Sequence, residues 1–156
     1  MYLGSASQLW DEGRNKGPCR LFVYRDMLVV IESPIDQRPY NTAPKKQQDF
    51  LERAYITAIA KAAELHPCLN GVDFAKIMRS VRGSRGEALY IFTIPTDAIS
   101  RVTIAQLRRG SSSAKYLFFT KGNKPLLHLS SALRDAPALA ACLRVILGDH
   151  LDNSTG

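Results

Sequence analysis

Apolar and polar positions alternate most clearly in the second half of the chain. From Glu87 to Ile94 the period is two, with Leu89 and Ile91 on one face and Tyr90, Phe92 and Ile94 on the other, which predicts a strand. Pro95 ends it. Ile99 to Ile104 predicts a second strand with Val102 and Ile104 sharing a face, and Arg108 to Ser113 reads as a loop. Tyr116–Thr120 and Lys124–Leu129 flank Gly122-Asn123, a dipeptide that suits a tight hairpin turn. Pro125 has no amide hydrogen to give a ladder, so its strand is expected at an edge or to start just after it. Leu139, Cys142, Leu143 and Ile146 then recur at helical spacing, with Asp135 placed to cap, Pro137 in the first turn and Gly148 at the stop.

The first half reads differently. Two β-rich runs, Cys19–Tyr24 and Met27–Ile31, surround Arg25-Asp26 and predict a hairpin; without a glycine in the turn, one bent strand is the alternative. Three prolines make 33–44 a loop. Leu51, Tyr55, Ala58, Ala62 and Leu65, widened by Ile59, predict a helix over 44–66 stopped by Pro67. Asn70-Gly71 marks a turn, and Asp73 is placed to cap a short helix carrying Phe74, Ile77, Met78 and Val81. A basic Gly-containing loop, Arg82 to Gly86, follows. Residues 1–18 show no sustained period and are expected to form a flexible N-terminal arm, with Trp10 resting on the domain surface. The boundaries are therefore an arm at 1–18, one α+β domain at 19–148 and a tail at 149–156.

The run Ile94-Pro95-Thr96-Asp97-Ala98-Ile99 into a strand, the hairpin around Gly122-Asn123 and the helix from Leu139 to Ile146 resemble the second half of a bacterial pleckstrin-homology-like or GRAM-like domain. The resemblance covers residues 87–147 only. It implies a strongly curved antiparallel sheet, a PH-like partial barrel closed by the C-terminal helix, used for binding rather than catalysis. The helical segment at 44–81 departs from that pattern and would be an insertion. A longin- or roadblock-like sheet with packed helices also fits the order of elements.

Charge narrows the class of partner. The net charge is +7, and between Lys76 and Lys124 ten basic residues face only Glu87 and Asp97, leaving the rest of the chain at −1. A local positive excess favours anionic partners. Three cysteines, Cys19, Cys68 and Cys142, form no zinc-type pair and no complete disulfide framework, which reads as reduced thiols in a cytoplasmic protein with Cys142 in the core. No early stretch has the pattern of a secretion signal, no apolar run is long enough to span a bilayer, and the sequon at Asn153 is read as chance.

Candidate chemistry is thin. His66-Pro67-Cys68 sets a base near a nucleophile, but across a proline and too close along the chain to converge; a helix-end histidine and a turn cysteine account for them. Ser112 and Lys115 have Ser-x-x-Lys spacing ahead of a strand, without the supporting motifs. Arg82–Gly86 lacks the Gly-Lys-Ser/Thr ending of a phosphate loop. His66, His128 and His150 are scattered, so no metal site and no cofactor is expected. The reading is a non-enzymatic binding module that engages an acidic membrane surface, lipid headgroup or acidic protein through Arg82, Arg85, Arg108, Arg109, Lys121 and Lys124 gathered at one rim. It would be cytoplasmic or peripheral to the membrane. Nucleic-acid binding, and protein interaction or homo-oligomerisation, are the alternatives.

Overall fold

The computed structural model describes residues 1–13, 17–32, 45–82 and 88–155. In chain order these form β1 (Tyr2–Asp11), β2 (Gly17–Tyr24), β3 (Met27–Glu32), α1 (Lys45–Leu65), α2 (Gly71–Ser80), β4 (Tyr90–Pro95), β5 (Ile99–Gln106), β6 (Ser113–Thr120), β7 (Lys124–Ala132), α3 (Ala136–Leu147) and β8 (Leu151–Asn153). The strands make one open, curved α+β sheet in the order β4-β3-β2-β1-β7-β6-β5-β8, antiparallel except for β8 beside β5. The expected α+β class, the curved sheet and the C-terminal helix are present.

β1 holds the two halves together. It pairs with β2 over most of its length, but with β7 only through Trp10 opposite Ser130 and Asp11 opposite Leu129. This corrects the expected arm: the first eleven residues enter the sheet, and Trp10, which was expected to rest on the surface, lies in the strand and is 45% exposed. Likewise the expected tail contributes β8, anchored by buried Leu151 opposite Val102.

The core lies on both sides of the sheet. On one side Leu21, Val23, Leu28, Val30, Ile94, Val102, Ile104, Tyr116, Phe118 and Leu129 pack against Leu139, Leu143 and Leu147 of α3. Cys142 is only half-buried, and its thiol donates to the Leu3 carbonyl at 3.6 Å. Within this core the Tyr116 hydroxyl meets the Ser131 hydroxyl at 2.6 Å, which satisfies both buried groups. On the other side Phe22, Tyr24, Val29 and Ile31 pack under Ile59, Ala63, Phe74, Ala75 and Met78 of α1 and α2. This second core explains why Leu28-Val29-Val30-Ile31 is apolar without alternation: β3 is covered on both faces.

Local chemistry explains most of the elements. The β2–β3 hairpin turns through Arg25-Asp26 with neither residue at positive φ. The turn is held by the Arg25 amide on the Met1 carbonyl and by Thr96 donating to the Asp26 and Arg25 carbonyls. For α2 the cap is Asn70, whose side chain accepts from the Asp73 amide at 2.8 Å, so Asp73 sits inside the first turn rather than capping it. Asp135 occupies the N-cap position of α3 without a side-chain capping bond. In α1 the buried stripe is Ile59 and Ala63 with Tyr55 and Ala62 beside them; Ala58 and Leu65, expected on that face, are exposed, and the Leu51 side chain lies outside the described set.

Candidate anion-binding face

β6 is the central strand of the second half-sheet, paired along its length with β5 and β7. Its residues alternate as the period of two requires: Ala114, Tyr116 and Phe118 point into the core shared with α3, while Lys115, Leu117 and Phe119 face the other way and are partly exposed. β5 sets Arg101, Thr103 and Ala105 opposite Phe119, Leu117 and Lys115, and β7 sets His128 and Ser130 opposite Leu117 and Lys115. The outward surface thus has three rows across the strands. α1 and α2 cover the side of β2 and β3 that faces away from α3, and among the described residues no helix packs on the outward rows of β5, β6 and β7.

The turns at either end of β6 are built by their own sequence. At the Ser113 end the Ser111 amide bonds the Arg108 carbonyl, the Ser113 amide bonds the Ser111 hydroxyl and the Gln106 side chain donates to the Ser111 carbonyl. Arg108 and Arg109 stand exposed in this turn. At the Thr120 end the expected hairpin forms, with Gly122 at φ +87° and Asn123 at φ +59°, and Lys121 and Lys124 are exposed at its tip. Pro125 is tolerated because β1 reaches only the far end of β7, so no neighbour there requires its amide.

The six residues chosen from sequence do not share one rim. Eight residues of β6 separate the Arg108–Arg109 turn from the Lys121–Lys124 tip, about 25 Å at about 3.3 Å per residue. Arg82 belongs elsewhere: it follows α2, and its guanidinium donates to the Arg79 and Val81 carbonyls at 2.6 and 2.9 Å, a helix-end role. Arg85 lies outside the described residues.

Other cations join the two groups. Arg101 lies on the outward face with its guanidinium 4.5 Å from the Phe119 ring centroid, a contact worth about 0.5–1 kcal/mol when exposed. Lys115 is the third of the eight residues of β6, towards the Arg108–Arg109 turn. The Leu133 amide bonds the Ser112 carbonyl at 2.7 Å, which brings neighbouring Arg134 beside the Arg108–Arg109 turn. The sequence signal that would have found all three is an absence: residues 98–134 contain seven Lys and Arg and no Asp or Glu. Among the described residues two carboxylates border the face, one just after β1 and one in β8. Glu12 accepts from the Ser130 hydroxyl at 2.7 Å, and Asp152 of β8 lies opposite Thr103.

His66 and the cysteines lie apart from this face. His66 and Cys68 lie in the α1–α2 turn, and among the described residues no side-chain hydrogen bond joins them. Ser112 is exposed in its turn, and Lys115 points outward from β6. Cys19 is buried among core residues; burial, with the Glu32 and Asp11 charges adding to it, pushes its thiol well above the usual range. Cys142 is raised by burial as well. Since only the thiolate is reactive, iodoacetamide at pH 8 is expected to label exposed Cys68 first and to reach Cys19 only after unfolding, as read by peptide mass spectrometry. Equal labelling of Cys19 and Cys68 in the folded protein would contradict this placement. Among the described residues no group of three His, Cys, Asp or Glu side chains is arranged to hold a metal ion, and no helix is long and apolar enough to cross a membrane. Comparison with known proteins finds no family model that matches the chain and no curated protein that matches it.

Proposed function

We propose that this chain is a non-enzymatic binding module of PH-like architecture that engages an anionic partner through the outward face of β5, β6 and β7. The order of elements supports the architectural reading: antiparallel strands in two groups, a curved sheet and a C-terminal helix packed on one side of it, with α1 and α2 as the insertion. The functional reading rests chiefly on one observation. The stretch that folds into this half-sheet carries seven cations and no carboxylate, and no described helix covers its outer side. Of the residues first nominated, Arg108, Arg109, Lys121 and Lys124 remain in the site; Arg101, Lys115 and Arg134 are added. The mechanism is long-range attraction followed by charge-assisted hydrogen bonds to phosphate or carboxylate oxygens, so binding weakens as salt rises.

The test must separate a dedicated face from a merely basic protein. The triple variant R108Q/R109Q/K115Q is expected to elute from heparin-agarose at clearly lower salt than the parent. The variant K61Q/K76Q/R79Q, with the same loss of charge on α1 and α2, is expected to elute close to the parent. Equal shifts for the two variants would mean that net charge alone governs retention and that no such face exists.

A further inference from the structure

Resting on that reading, we infer that the partner laid across the outward face of β5, β6 and β7 is a single-stranded nucleic acid. The layout of charge favours a flexible chain of phosphates over a single headgroup. The cations lie towards both ends of the face rather than in one pocket: Arg108, Arg109 and Lys115 towards one end, and Arg101, Lys121 and Lys124 towards the other.

The face also offers a planar group. Phe119 and the Arg101 guanidinium stack at 4.5 Å in the row next to the hairpin tip, half-exposed between cations. Bases stack on aromatic rings and on guanidinium planes without regard to sequence, so recognition here would be backbone tracking plus one stacked base. Tyr116 and Phe118 are buried in the core shared with α3 and take no part. The length of β6 matches a site of about four nucleotides or more, the lower end for sheet-based single-strand binders.

The experiment is fluorescence anisotropy of a labelled oligo(dT) 20-mer and oligo(U) 20-mer with the full chain. Sedimentation with vesicles of 70:30 phosphatidylcholine and phosphatidylserine runs beside it. The expected result is binding of both oligomers, with log affinity falling linearly in log salt by about 0.7 per phosphate contacted. R108Q/R109Q should flatten that slope by about 1.4. F119L should weaken binding about tenfold, the scale of one lost stack, while leaving the salt slope unchanged, and F119Y should restore it. A protein held on heparin by this face that ignores both oligomers, or that sediments with the vesicles in preference to binding them, overturns the nucleic-acid inference and leaves the anionic-partner reading standing. An F119L protein that is folded by circular dichroism and binds as tightly as the parent overturns the stacking role. Failure of the face-specific heparin shift overturns both readings.

Discussion

Phe74→Ala is expected to lower the free energy of unfolding by about 3–5 kcal/mol, the usual range for removing a buried phenyl ring. The ring is fully buried, its centroid lies 4.8 Å from Phe22 and 5.2 Å from Tyr24, and both pairs are tilted, a favoured aromatic geometry. It is the largest side chain that α2 buries, with only Ala75 and Met78 buried beside it on that stripe. Truncation therefore leaves a cavity between a helix and a sheet whose other face is already packed, so β2 and β3 have little freedom to move toward it. Against a total stability of about 5–15 kcal/mol this is a large fraction. Urea unfolding followed by circular dichroism measures it. A loss below about 1 kcal/mol would mean that α2 is not docked as described.

Gly71→Val is expected to destabilise by about 1–3 kcal/mol through overpacking. A Cβ built at Gly71 would stand 2.6 Å from the Met27 Cβ and 3.2 Å from the Tyr24 Cβ. Both obstacles are fixed to the backbone of the β2–β3 hairpin and cannot swing aside as a side-chain tip would. The same residue donates its amide to Asp26 Oδ1 at 2.8 Å, and the Asp26 carbonyl accepts from the Thr96 amide, so α2, the hairpin and the end of β4 are joined at one corner. Displacing the start of α2 strains all three. For a chain of this size each kcal/mol corresponds to about 2–4 °C in Tm, so a fall of several degrees is expected in a thermal melt. An unchanged Tm would show that the helix start has room the geometry denies.

The elements that could be read from the sequence are those whose pattern is local. The β6–β7 hairpin follows from Gly122-Asn123 between two apolar runs, and α2 from Phe74, Ile77 and Met78 at helical spacing. α3 could be placed, but its buried stripe is Leu139, Ala140, Leu143 and Leu147, which leaves Cys142 and Ile146 at the margin. β1 could not be read because two register shifts, between Tyr2 and Gly4 and between Ala6 and Leu9, interrupt the period of two, and its described buried residues are only Leu9 and Asp11. β8 has three residues and one apolar anchor, too little for any periodicity. Within the site, Arg108, Arg109, Lys121 and Lys124 were legible because turns expose charge. Arg82 was misread because its engagement with the end of α2 depends on where a long side chain folds back, which spacing does not reveal. The shared rim failed for a topological reason: successive antiparallel connections leave from opposite ends of the strand between them.

The junction of β1 with β7 bears on how the molecule is made. Ser130 reaches Glu12 across 118 positions of sequence, and only two residue pairs hold the strands together there. On the ribosome β1 emerges with one side hydrogen-bonded to β2, while the side that pairs with β7 stays open until Ser130 has been translated. Contacts of such long range close late and slowly, so a nascent chain stalled before residue 130 would carry an open strand margin for chaperones or for another stalled copy to occupy.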